Sequence, residues 1–184
     1  MTSTLRTALL AAAAVLALQA GAAAAQTAPA PSYKVVKSVP LGAPDRWDYV
    51  TFDAASHRVY VAHGDRLSVV DGHDGTLIGE VTGMPGGTHG IGLSGGKGYT
   101  DDGEAGVAVV FDPKTLKVLG RVTAKPDADG IAVDPATGHV FVVDGDSKVL
   151  TVIDPKTDQV VATIDGGGGL EFAVAGPDGE HGST

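Results

Sequence analysis

Three short β-branched runs in this chain end in aspartate at a near-constant spacing: Ser68-Val69-Val70-Asp71, Val109-Val110-Phe111-Asp112 and Thr151-Val152-Ile153-Asp154. The intervals between the aspartates are 41 and 42 residues. A fixed period of this size with strand-like content marks a repeat whose single unit cannot bury its own faces. It matches one four-stranded blade of a β-propeller, and the expected fold class is all-β.

Each repeat reads as four short strands separated by Gly, Asp and Pro turns, with no helical apolar periodicity. The first runs through Asp48–Phe52, Arg58–Val61, Leu67–Val70 and Leu77–Val81. The third repeats this as Gly130–Val133, His139–Val143, Val149–Ile153 and Gln159–Ile164. Asp134-Pro135 and Asp154-Pro155 are turns with a mechanism, since proline presets φ. The second repeat is irregular: it places Gly98-Tyr99-Thr100-Asp101 where its neighbours have Val59-Tyr60-Val61-Ala62 and Val140-Phe141-Val142-Val143. Gly and Asp are poor strand formers, so this repeat is expected to have the least stable interior, as a bulge, a ligand-facing surface or a mobile edge.

The expected blades cover residues 48–83, 89–124 and 129–165, with part of a fourth over 170–184 that opens on Leu170–Val174. Val35-Val36-Lys37-Ser38-Val39 aligns with the outermost strands, which predicts a closing strand over 33–42 that covers an exposed sheet edge. Three blades and part of a fourth fall at or below the usual range of about four to eight. The period suits half of a seven-bladed ring. The chain is therefore expected to be a fragment, a frame that leaves the repeat near Gly176, or a ring completed through self-association.

Arg6, the apolar stretch Ala8–Ala20 and Ala23-Ala24-Ala25 before Gln26 predict a signal peptide over 1–25, too short to span a bilayer. Residues 26–32 read as a disordered linker, and the mature chain as periplasmic or secreted with no membrane span. The absence of Cys removes disulfides, thiol nucleophiles and a lipidated N-terminal Cys. A net charge of −9 without any Lys/Arg cluster argues against nucleic acid, which is held largely by clustered cations.

The recurring elements Arg58-Val59-Tyr60-Val61, Val110-Phe111-Asp112-Pro113-Lys114-Thr115 and Val152-Ile153-Asp154-Pro155-Lys156-Thr157 resemble the YVTN-repeat (YncE-like) propellers. The resemblance spans about residues 33–174. It implies a seven-bladed ring, commonly exported and commonly without an assigned reaction. These motifs build blades and carry little about activity.

Gly92-Leu93-Ser94-Gly95-Gly96 matches a nucleophile elbow literally, but no helix follows it and Ser94 falls in the turn slot of Asp53 and Asp134. Asp144-Gly145-Asp146 and Asp127-Ala128-Asp129 lack the remainder of a calcium loop, and Gly166–Gly169 lacks the Lys of a phosphate cradle. His57 and His139 lie two periods apart, in surface turns. His89 differs: with Asp48, Asp129 and Glu171 it sits just before or at the innermost strand of its repeat, where side chains from several blades converge on a channel mouth. Trp47 stands beside them as a stacking or junction residue, and Tyr49 and Phe52 read as core. This constellation suits recognition of a small molecule or an exported protein through the channel face. One alternative is a lactonase- or lyase-like enzyme using His89 as acid or base, with a divalent metal an option; the other is a scaffold without activity.

Overall fold

The computed structural model describes residues 32–176 and 181–183. The signal peptide read over 1–25 and nearly all of the linker over 26–32 lie outside the described residues. The chain divides into two units, 1–38 and 39–184. Of the first, residues 32–38 are exposed and form no strand. Everything below concerns the second.

Three four-stranded antiparallel sheets follow one another, each a simple meander. Sheet 1 comprises β1 (Trp47–Asp53), β2 (Arg58–His63), β3 (Arg66–Asp71) and β4 (Leu77–Thr82). Sheet 2 comprises β5 (Ile91–Ser94), β6 (Lys97–Asp102), β7 (Val107–Phe111) and β8 (Val118–Thr123). Sheet 3 comprises β9 (Ala128–Val133), β10 (Val140–Asp144), β11 (Val149–Asp154) and β12 (Gln159–Asp165). A short ribbon of β13 (Ala173–Ala175) and β14 (His181–Ser183) follows. The first strands of successive sheets, β1, β5, β9 and β13, lie beside one another, which is a propeller-like arrangement. Among the described residues no helix is long and apolar enough to cross a membrane.

Alternating side chains give every sheet two apolar faces, and successive sheets bury them against each other. Tyr60, Leu67, Val69 and Val81 of sheet 1 meet Ile91, Val109 and Phe111 of sheet 2. Tyr99, Ala108, Val110 and Val122 on the opposite face of sheet 2 meet Val140, Val142 and Ile153 of sheet 3. Each fully buried side chain of this kind contributes about 1.5–3 kcal/mol.

Polar contacts recur with the same period. The last residue of each second strand clips the segment that enters its own sheet: His63 Nε2 lies 2.6 Å from Pro44 O, Asp102 Oδ1 accepts from Gly86 N at 3.1 Å, and Asp144 Oδ1 accepts from Lys125 N at 3.1 Å. The first residue of the second strand reaches forward instead. Arg58 donates to Pro113 O, and Lys97 Nζ holds both carboxylate oxygens of Asp158 at 2.7 and 2.6 Å.

Three expectations need correction. The strand predicted over 33–42 does not form: residues 32–46 contain no strand, because a strand needs a paired edge and none among the described residues pairs with it. Leu170 is not in an inner strand but packs on Phe141, Val143 and Leu150, with β13 starting only at Ala173. The irregular strand of the second repeat is also no loosened edge, since Gly98 to Asp102 are all buried. Its glycine answers a packing demand. A Cβ at Gly98 would lie 2.1 Å from the Phe111 ring, which fills the space instead. Gly98→Ala should therefore lower stability by about 1–3 kcal/mol through overpacking, measured by urea unfolding, although alanine is the better strand former.

Candidate functional site

The ladder breaks at one radial position in all three sheets. In sheet 1 the register shifts between Trp47 and Val50, leaving Asp48 and Tyr49 outside regular pairing. In sheet 3 it shifts opposite Val143 and Asp144, so that Asp129 is skipped between Ala128 and Gly130. Bulges re-aim side chains. In sheet 2 the pairing of β5 begins only at Ile91, and a side chain replaces the ladder before it.

That side chain is Asp101. Its carboxylate accepts from Gly90 N at 2.7 Å, from His89 N at 3.1 Å and from His89 Nδ1 at 2.7 Å. Asp101 is 0% exposed and occupies the register position held by Ala62 and Val143 in the neighbouring sheets. An unpaired carboxylate there would be costly to bury, and these N–H donors offset that cost. With Nδ1–H given to Asp101, the other ring nitrogen carries the lone pair. His89 Nε2 lies 3.3 Å from Arg46 Nη2, whose guanidinium comes from the segment just before β1. His89 Nδ1 is also 3.6 Å from Asp129 Oδ1. Gly103 leaves room for the imidazole, since a Cβ there would stand 2.9 Å from its Cε1. Sheets 1, 2 and 3 thus meet at one histidine.

The hydrogen bond to Asp101 holds the His89 pKa above the ordinary imidazole value against the opposing effect of burial, and the charges of Asp101, Asp129 and Asp48 add to it. Burial pushes Asp129 up, with His89 pulling it back. Burial likewise raises Asp101, opposed by its bond to His89. The Tyr49 hydroxyl is raised by burial and then by the combined field of Asp48, Asp129, Glu171 and Asp101.

Of the residues singled out in the sequence, His89 and Asp129 come into direct proximity, while Asp48 and Glu171 join them through the local field and remain exposed. Trp47 lies over His63, ring centroids 4.0 Å apart and 13° from parallel, within its own sheet. Tyr49 and Phe52 are not core residues: they are 41% and 56% exposed, Tyr49 at the mouth and Phe52 on the rear of sheet 1, which no sheet covers among the described residues. Ser94 Oγ donates to Gly138 O at 2.5 Å and carries no dyad. Arg46 was not singled out, and Asp101 was noted only as a poor strand former in the irregular second repeat. The signal for Asp101 was a charged residue at an apolar register position.

The donor set does not fit a metal ion. Among the described residues no three His, Asp or Glu side chains are placed to hold one, and the other nitrogen of His89 accepts a hydrogen bond from the Arg46 guanidinium. A cavity of about 210 Å³ adjoins the mouth, lined chiefly by Tyr49, Val50, Ile91, Ile131, Phe172 and Val174. It lies among the first strands of the sheets, and its walls are apolar apart from Tyr49, Thr51 and the backbone.

No protein-family model matches the chain, and no curated protein matches it. Among solved structures it resembles a Kuenenia stuttgartiensis hydrazine synthase chain, with a TM-score of 0.68 at 17% sequence identity. The match covers 80% of this chain and 44% of that one, so this chain spans less than half of its length. At that identity the likeness is one of fold alone.

A histidine with a raised folded pKa contributes stability that is full below its unfolded value and is lost as pH rises through its folded value. Raising the pH from about 6.5 through the His89 value should therefore lower Tm more steeply in the native chain than in a His89→Gln variant. NMR titration of the imidazole should show the raised pKa fall in Asp101→Asn.

Proposed function

We propose that this chain is an exported, periplasmic or secreted, YVTN-type propeller segment, half of a seven-bladed ring, that binds a small molecule at the mouth of its channel. The observation that carries this reading is His89, fixed through Nδ1 by buried Asp101 and presenting Nε2 beside Arg46 at the junction of three sheets. A polar group fixed this rigidly at the edge of an apolar cavity suits a ligand with a polar head and an apolar body. The head would meet His89 and Arg46, and the body would enter between Val50, Ile91 and Ile131. An exported protein could use the same face through a single side chain inserted at this point.

A second reading has its own support. Asp101 holds His89 in the tautomer whose lone pair is on Nε2, and a substrate that draws Arg46 off that nitrogen to its own anion would let Nε2 take a proton. In a lyase-like reaction, Nε2 would remove a proton beside a carbonyl, the electron pair would form the double bond, and the β-substituent would leave with its own electrons. No metal enters this step.

A thermal-shift screen of small exported metabolites, carboxylic acids and sugars included, should find ligands that raise Tm. The shift should vanish in Arg46→Ala and His89→Ala and persist in Ser94→Ala and His139→Ala. The reading fails if no compound stabilises the chain, or if stabilisation survives both mouth substitutions. Consumption of a stabilising ligand, lost in His89→Ala, would select the enzymatic reading over simple binding.

A further inference from the structure

The two junctions between sheets share one polar clasp, complete at the second junction and unfinished at the first. Between sheets 2 and 3 the Asp158 carboxylate accepts from Lys97 Nζ at 2.7 and 2.6 Å and from the Tyr99 hydroxyl at 2.7 Å. Strand register places Arg58 and Tyr60 of sheet 1 where sheet 2 has Lys97 and Tyr99. The turns that face these pairs correspond as well. Leu116 follows Asp112-Pro113-Lys114-Thr115, and Asp158 follows Asp154-Pro155-Lys156-Thr157. Both stand at positive φ, 60° and 54°, and both donate N–H to the carbonyl of the aspartate four residues back, at 2.8 and 2.9 Å. The first junction therefore keeps the two donors and carries leucine where the second has the acceptor.

Leu116 does not take over the contact. Its Cδ1 leans onto the fourth strand, 3.0 Å from where a Cβ on Gly79 would stand, whereas nothing lies within 4 Å of that point at the matching Gly120. Arg58 turns to Pro113 O instead. The Tyr60 hydroxyl is left buried and, among the described residues, without a hydrogen-bond partner. Burial holds its pKa above the ordinary phenol value against the pull of Arg58, so it remains a donor. Asp53 does not serve it, because that carboxylate is engaged in its own turn by Ser56 Oγ at 2.5 Å and Ala55 N at 3.0 Å. A buried O–H without an acceptor is costly, and the guanidinium two residues away on the same strand face accepts nothing.

We propose that the first junction binds a small monocarboxylate, formate or acetate, whose oxygens accept from the Tyr60 hydroxyl and the Arg58 guanidinium as Asp158 accepts from Tyr99 and Lys97. Acetate is the aspartate side chain without its backbone, and a carboxylate pairs with guanidinium through strong charge-assisted bonds. Arg58 is only half-buried, and it exchanges Pro113 O for the anion as the anion enters. The site lies wholly between sheets 1 and 2, at the opposite end of β2 from the channel mouth.

Titrating the full chain with sodium acetate or formate, against sodium chloride at equal ionic strength, tests this. The Arg58 Nε–H and Leu116 amide NMR signals should shift saturably in the millimolar range, and Tm should rise by a few degrees, in the carboxylate salts alone. Tyr60→Phe, which the frame tolerates as Phe141 at the same register position of sheet 3, should weaken binding about tenfold. Leu116→Asp should show the raised Tm already in chloride and gain nothing from acetate. In chloride Tyr60→Phe should not lower Tm, whereas Tyr99→Phe should, because only the Tyr99 hydroxyl has its acceptor in place. Four results would each overturn the proposal: equal shifts in chloride and acetate, undiminished binding in Tyr60→Phe, a folded Leu116→Asp that still binds acetate, or a Tyr60→Phe loss of Tm in chloride as large as that of Tyr99→Phe.

Discussion

Each sheet in this unit is apolar on both faces, and burying those faces against a neighbour supplies most of what holds it together. The stable answer is succession, with the front of one sheet pressed on the rear of the next. Tyr60 under Ile91 and Phe111, and Tyr99 under Val140 and Val142, are two instances of that contact. The polar clips follow from it. His63, Asp102 and Asp144 can bind the incoming segments because apolar packing has already placed each second strand beside the entrance of its sheet.

The same succession creates the mouth. Bringing the first strands of three sheets side by side forces the residues that precede or open them into one small region, whatever their chemistry. Here the region holds Asp48, Tyr49, His89 and Asp129; burial and then the nearby carboxylates raise the Tyr49 pKa, and the hydrogen bond to Asp101, with the carboxylates adding to it, raises that of His89. Asp101 distinguishes an arranged site from a crowded one. A carboxylate in an apolar slot is destabilising unless it is matched, and it is matched here by the backbone and ring of the one histidine at the mouth.

The strands were legible because β-branched residues alternate with polar ones and Asp, Gly and Pro punctuate them at a constant period. The slot shared by Asp48, His89 and Asp129 was legible from that period alone. Tyr49 and Phe52 were misread, because an aromatic in a strand carries no mark of whether another sheet covers it. Gly98 was read as weakness for a similar reason: the Phe111 ring that needs its space lies on the next strand of the sheet, thirteen residues later in the chain. Arg46 was invisible as a partner of His89, because the two are 43 residues apart and meet only when sheet 1 settles on sheet 2. Asp101 was visible as a charge where its counterparts are Ala62 and Val143, but it was read as a weak strand position, because the histidine it holds lies on the segment before the neighbouring strand and the bond between them leaves no mark in the pattern.

The broken ladder at Asp48, His89 and Asp129 has an evolutionary consequence. Residues inside a ladder are constrained twice, by their partner strand and by the face they fill, so exchanging one disturbs the frame. These positions escape the first constraint, because bulges in sheets 1 and 3 and the Asp101 carboxylate in sheet 2 already stand in for regular pairing. A lineage built on this frame could therefore replace Asp48 and Asp129 one at a time while the register of every sheet stayed fixed, whereas His89 would have to change together with Asp101, whose buried carboxylate it matches.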